Sequence, residues 1–173
     1  MADIFISYWS GEQGVAYSLQ KFLCELLPQT SIFMADSRTI RAGDSWLDII
    51  KRELKESKVV LSLLSKESVK RPWINFEAGA AWIDKVLIPL CFGGLEKGMM
   101  PAPYNQLQAL QLQEPRDTHR LIVDLHHHLN LGSFKEPFMG LEIRFGKSKF
   151  YDAATWFHED MMGYHMMGYD NEE

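Results

Sequence analysis

A chain of 173 residues, 46% hydrophobic and 24% charged, is the right size and makeup for one globular domain with an appendage. No apolar run approaches the roughly 20 residues needed to span a bilayer, and a net charge of −5 argues against a nucleic-acid binder, whose phosphate contacts require a basic surface. Cys24 and Cys91 are far apart within apolar sequence, so both are expected to be buried thiols and not disulfide or zinc ligands. Met1-Ala2-Asp3 leads directly into strand-like residues without a basic, apolar leader, so a cytoplasmic location is expected.

Asp3-Ile-Phe-Ile-Ser-Tyr8 reads as a first strand, followed by a helix on which Val15, Leu19, Phe22, Leu23 and Leu26 recur at helical spacing until Pro28. Between them, Ser10-Gly-Glu-Gln-Gly14 matches neither glycine-rich phosphate-binding pattern and reads as a plain turn. Ser31–Met34 is a second strand, and Ala35–Asp44 is a polar loop containing Gly43. Trp46, Ile49, Ile50 and Leu54 form the apolar side of a second helix, with Trp46 assigned to the core. Val59–Leu64 is continuously apolar, as expected of a strand covered on both faces.

A third helix starts at Pro72, whose missing N–H costs nothing in a first turn, and runs through Trp73, Glu77 and Trp82, the last also assigned to the core. Val86–Cys91 is a fourth strand, with Pro89 suggesting an edge or a strand end. After a Gly/Pro-rich loop, Leu107–Leu112 is a fifth strand, and Asp117 is expected to cap a helix carrying Leu121, Ile122, Leu125 and Leu129. His126, His127 and His128 point about 100° apart on that helix and cannot converge on one metal ion, so they read as C-terminal residues favoured by the helix dipole. Residues 131–173 form an aromatic and Met-rich extension in which Phe150, Ala154, Phe157 and Met161 recur at helical spacing; it is expected to pack on the domain or at an interface.

The β-α alternation implies an α/β domain over residues 1–130, with a flavodoxin-like, five-stranded parallel sheet and helices on both faces. Ligands in such sheets sit beyond the carboxyl ends of the strands, near the point where strand order switches. If the first strand lies between the second and third, three segments meet there: the turn after strand one, the Ala35–Asp44 loop and the start of the Trp73 helix. Trp73 and Glu77 are four residues apart and share a helix face, placing an aromatic plane beside a carboxylate.

Taken in order, Asp3-Ile-Phe-Ile-Ser-Tyr8, Ala35-Asp-Ser-Arg-Thr-Ile-Arg-Ala-Gly-Asp44, Val59–Ser65 and Trp73-x-x-x-Glu77 resemble the Toll/interleukin receptor (TIR) domain family, its bacterial members most closely. Two departures stand out: Trp73-Ile74 replaces a frequent Trp-Cys pair, and Ala42-Gly43 replaces the Pro-Gly of many animal adaptors. The resemblance implies either a signalling scaffold or an enzyme that cleaves NAD+ with the glutamate of the Trp-x-x-x-Glu helix. On the enzymatic branch, Glu77 is catalytic, Trp73 forms the pocket wall, Phe5 and Ser7 line its floor, and the loop with Asp36, Arg38, Arg41 and Gly43 closes over the nucleotide. Arg38 and Arg41 suit the pyrophosphate because a guanidinium fork matches phosphate oxygens.

NAD+ would be a substrate, with no cofactor and no metal. The expected product is ADP-ribose or a cyclic isomer, acting as a signal in bacterial anti-phage defence. The resemblance also implies self-association through the TIR domain and a separate effector that responds to the product. A non-catalytic interaction module and a nucleoside deoxyribosyltransferase-like enzyme remain open alternatives.

Overall fold

The computed structural model describes residues 2–35, 43 and 45–134. Five strands, β1 (Ile4–Ser7), β2 (Ile32–Met34), β3 (Val59–Leu64), β4 (Val86–Cys91) and β5 (Leu110–Gln111), form one sheet in the order β2-β1-β3-β4-β5. All neighbours are parallel, with Ile4 paired to both Ile32 and Val59 and Ser7 paired to Ser62. Helices α1 (Gln13–Leu26), α2 (Trp46–Glu56), α3 (Pro72–Trp82) and α4 (Pro115–His128) complete the alternation. β1 therefore lies between β2 and β3, which places the strand-order switch at its carboxyl end.

Because alternate strand residues point to opposite faces, the sheet divides its apolar residues into two cores. Ile4, Ile6, Leu61 and Leu63 pack with Val15, Leu19 and Leu23 of α1 and Leu121 and Leu125 of α4. Phe5, Val60 and Leu64 pack on the other side with Ile50 and Leu54 of α2 and Ile74, Ala78 and Ala81 of α3. The same alternation puts Ser7 two residues beyond Phe5, and Ser62 between Val60 and Leu64, on the face covered by α3. Every residue of β3 is buried, as its unbroken apolar run requires.

Five expectations are corrected. Pro89 marks neither an edge strand nor a strand end: β4 lies between β3 and β5, but β5 pairs only with Leu90 and Cys91, so Pro89 falls below that ladder. β5 is also shorter than the apolar run around it. Asp117 is not the cap of α4; Glu114 holds that position, while Asp117 Oδ2 accepts from Gln111 N at 2.8 Å and Lys97 Nζ at 2.6 Å. Cys24 is exposed on α1, whereas Cys91 is buried and its thiol is pushed up to about 12, mainly by desolvation. Trp46 is 46% exposed and outside the core, and Trp82 is half-buried against the second core.

His126, His127 and His128 occupy the last turn of α4, and no cluster of potential metal ligands occurs among the described residues. Nor is any helix of the described residues long and apolar enough to cross a membrane. The helix expected around Phe150–Met161 lies outside the described residues.

Candidate functional site

α3 buries Ile74, Glu77, Ala78 and Ala81, an i, i+3, i+4, i+7 stripe in which Glu77 occupies a position otherwise reserved for apolar residues. A buried carboxyl is tolerated only when it is hydrogen-bonded, and Glu77, 3% exposed, has two donors. Ser7, the last residue of β1, donates to Oε2 at 2.5 Å, and Trp73 Nε1 donates to Oε1 at 2.6 Å. Desolvation raises the Glu77 pKa to about 7, and the two hydrogen bonds hold the shift to that level. A carboxyl brought toward neutrality by burial is of the kind that clusters at functional sites.

The surroundings of this pair are also ordered. Trp73 packs against Trp46 (centroids 4.8 Å apart) and Phe76 (5.4 Å), so the exposed α2 tryptophan supports the ring that holds the carboxylate. Tyr104 is buried beneath α3 and donates to the Ile74 carbonyl at 3.3 Å; burial pushes its phenol up to about 12, and the Glu77 charge adds to that rise. Ser62 Oγ, in register beside Ser7, is buried next to the Tyr104 phenol and offsets part of that rise.

A second buried carboxyl stands nearby in the turn after β1. Glu12, fully buried, accepts from Ser65 Oγ just beyond β3, while its Oε2 has no partner among the described residues. Ser65 Oγ also accepts from the backbone N–H groups of Glu67 and Ser68, both at 3.1 Å, and Ser68 O accepts from Arg71 N at 2.9 Å. Glu12 thus ties the turn after β1 to the one that starts α3. Desolvation raises its pKa to about 7 as well.

Of the residues expected at the site, Ser7, Trp73 and Glu77 come together through direct hydrogen bonds. Phe5 is fully buried against Phe33, centroids 5.5 Å apart, one layer below them. Gly43 has φ +94, a left-handed conformation that favours glycine. Asp36, Arg38 and Arg41 lie outside the described residues. Sequence reading missed Glu12, whose partner is 53 residues away, and the supporting Trp46; their pairings exist only after the sheet has assembled. It also passed over Arg71, although its place directly before Pro72 and Trp73 was a visible signal.

These features define a doubly wound α/β domain with a buried, hydrogen-bonded glutamate at the carboxyl ends of its central strands. The chain belongs to the TIR domain family, whose model matches residues 4–124. A comparison with curated proteins finds no match.

Among solved structures, the chain is similar to the TIR domain of the Toll-related receptor TRR-2 from Hydra magnipapillata, with a TM-score of 0.61 and 16% identity over 73% of this chain and 99% of that one. It also resembles a metazoan TIR-STING receptor from C. gigas in complex with 2′,3′-cGAMP, with a TM-score of 0.55 and 22% identity over 75% of this chain and 39% of that one. A second structure of the C. gigas receptor aligns with a TM-score of 0.54 and 20% identity over 87% of this chain and 46% of the receptor. The chain therefore spans less than half of the C. gigas receptor chains, and at these identities the likeness concerns the fold.

Proposed function

We propose that this TIR domain is an NAD+ nucleosidase that breaks the nicotinamide–ribose bond with Glu77 as its catalytic residue. The observation that carries this reading is the carboxyl itself: buried at the switch point, clamped by Ser7 and Trp73, and poised to ionise near neutrality.

The chemistry asks for only one such group. Ordinary glycosides leave as poor alkoxides and need an acid as well as a second carboxylate. The nicotinamide of NAD+ is a cationic pyridinium, so when the glycosidic C–N bond breaks its electron pair moves to the ring nitrogen and the base departs neutral. Positive charge then grows on the ribose anomeric carbon and its ring oxygen. A fixed, partly desolvated carboxylate beside that carbon stabilises this charge more than it stabilises the ground state. Attack by water, with loss of its proton, gives ADP-ribose; attack by an adenine nitrogen or a ribose hydroxyl gives a cyclic isomer. The released nucleotide would then act as a signal to a separate effector, a use compatible with bacterial defence.

A second reading has its own support. Trp46, Phe76 and Ile83 are 46%, 53% and 87% exposed on α2, α3 and the residue following α3, an apolar surface suited to self-association in a scaffold.

The deciding experiment incubates concentrated purified protein with NAD+, and separately with deoxynucleosides, and separates the products by chromatography. Release of nicotinamide that disappears in Glu77→Gln supports the nucleosidase. Turnover that survives this substitution overturns the mechanism, base exchange on deoxynucleosides moves the chain to another enzyme class, and no turnover of either substrate favours the scaffold.

A further inference from the structure

Arg71 is exposed at the start of α3, and among the described residues its charge has no ion-pair partner. Its guanidinium carbon lies 4.3 Å from the centroid of the Trp9 ring, in the turn after β1. The indole is held from beneath: a Cβ on Gly11 would come within 2.6 Å of it, so the ring occupies the space a side chain there would take. Trp9 packs against the second core, as does Trp73, which places Arg71 on the Glu77 side of the sheet.

A guanidinium over an indole is attracted by the face of the ring and spends none of its N–H donors on a hydrogen-bond acceptor. Arg71 is exposed, and among the described residues no carboxylate comes within ion-pair distance of it. Its charge reaches Glu12, whose carboxyl it helps to lower, but that group is fully buried and not within ion-pair distance of Arg71. An exposed guanidinium seated on a ring, with donors open, is a fork for phosphate oxygens. It is the residue before α3, and the five helical steps from Pro72 to Glu77 rise about 7.5 Å at 1.5 Å per residue, a spacing that suits different parts of an extended ligand.

From this arrangement we infer that Arg71, seated on Trp9, is a specificity-determining residue that binds the pyrophosphate of a dinucleotide while Glu77 faces its ribose. The inference rests on the nucleosidase reading and adds a substrate preference to it: phosphate-bearing nicotinamide nucleotides over the bare riboside. It assigns to a described residue the role that sequence reading gave to Arg38 and Arg41.

The test compares wild type, Arg71→Ala and Arg71→Lys on NAD+ and nicotinamide riboside by nicotinamide release, with calorimetric titration of inorganic pyrophosphate as a binding arm independent of turnover. In Arg71→Ala the ratio of kcat/KM for NAD+ over that for the riboside falls about 10- to 100-fold, the range for a charge-assisted hydrogen bond. Arg71→Lys, which keeps the charge but loses the planar fork, recovers part of that ratio, and Trp9→Leu lowers it by an intermediate factor. Equal losses on both substrates, or an unchanged ratio, overturn the inference and leave Arg71 as a structural clamp on Trp9. Should wild type cleave neither substrate, the nucleosidase reading fails on its own. The pyrophosphate titration then decides for Arg71: binding weakened at least tenfold in Arg71→Ala supports the phosphate fork, and equal or absent binding rejects it.

Discussion

Replacing Glu77 by Gln tests the stability and the chemistry of the site together. The amide keeps the shape, with its oxygen able to accept from Trp73 and its NH2 group able to donate to the Ser7 hydroxyl, but it cannot ionise. In the folded protein the carboxyl pKa rises from 4.5 to about 7 because of desolvation, so between these values the native state holds a proton that the unfolded chain has released. The stability linked to this group is therefore fully present below about pH 4.5 and is lost as pH rises through 7. At 1.36 kcal/mol per unit the full loss is roughly 3 kcal/mol, an upper bound.

Glu77→Gln should therefore be no more stable than wild type near pH 4.5 and more stable at pH 8, with Tm raised by at most about 6 to 12 °C at 2–4 °C per kcal/mol for a chain of this length. Glu12 titrates in both proteins, so the difference between the two melting curves isolates Glu77. Over the same range kcat/KM for NAD+ should fall by about 10²- to 10³-fold at pH 8, the scale of removing one preorganised electrostatic group. Calorimetric melts at half-unit steps of pH, paired with nicotinamide release, measure both. A Tm difference independent of pH would refute the buried-ionisation argument, and unchanged activity would refute the mechanism.

Ser7→Ala removes one of the two donors to Glu77, which raises the carboxyl further; the acidic limb of the pH–rate profile should move up by about one unit, the equivalent of one hydrogen bond. Glu12→Ala deprives Ser65 of its acceptor and loosens the turn that leads to α3, costing about 1–3 kcal/mol in urea unfolding at pH 6, whereas Glu12→Gln should retain most of that stability. Asp117→Ala leaves Gln111 N and Lys97 Nζ without their shared acceptor and should cost a similar 1–3 kcal/mol, read as a lower urea midpoint at unchanged m-value.

The element order was legible because each segment declares its period: β3 in an unbroken apolar run, α1 in its three-and-four spacing, and α3 in Pro72 at its first position. The pairing of Trp73 with Glu77 was legible for the same reason, since four residues on a helix is a local distance. Errors arose where local pattern and tertiary setting part company. Trp46 fits an apolar stripe whose Ile50 and Leu54 reach the second core, yet at the start of α2 the ring lies against Trp73 of α3 and stays half open. Asp117 looks like a cap, but Lys97 and the backbone of β5 claim its carboxylate from elsewhere in the chain.

Sequence alone determined the β-α alternation, the choice of Glu77 as the acid to explain and its aromatic neighbour, because these depend on contacts within a few residues. Only the tertiary structure decided that Ser7 would clamp that acid from 70 residues away, that Glu12 would be buried against Ser65, and that Arg71 would rest on Trp9. Strand order made the difference: once β1 lies between β2 and β3, the ends of β1 and β3 and the start of α3 share one low-dielectric crevice. Desolvation there, a property of the assembled sheet and of no single segment, brings a glutamate to the edge of ionisation at neutral pH.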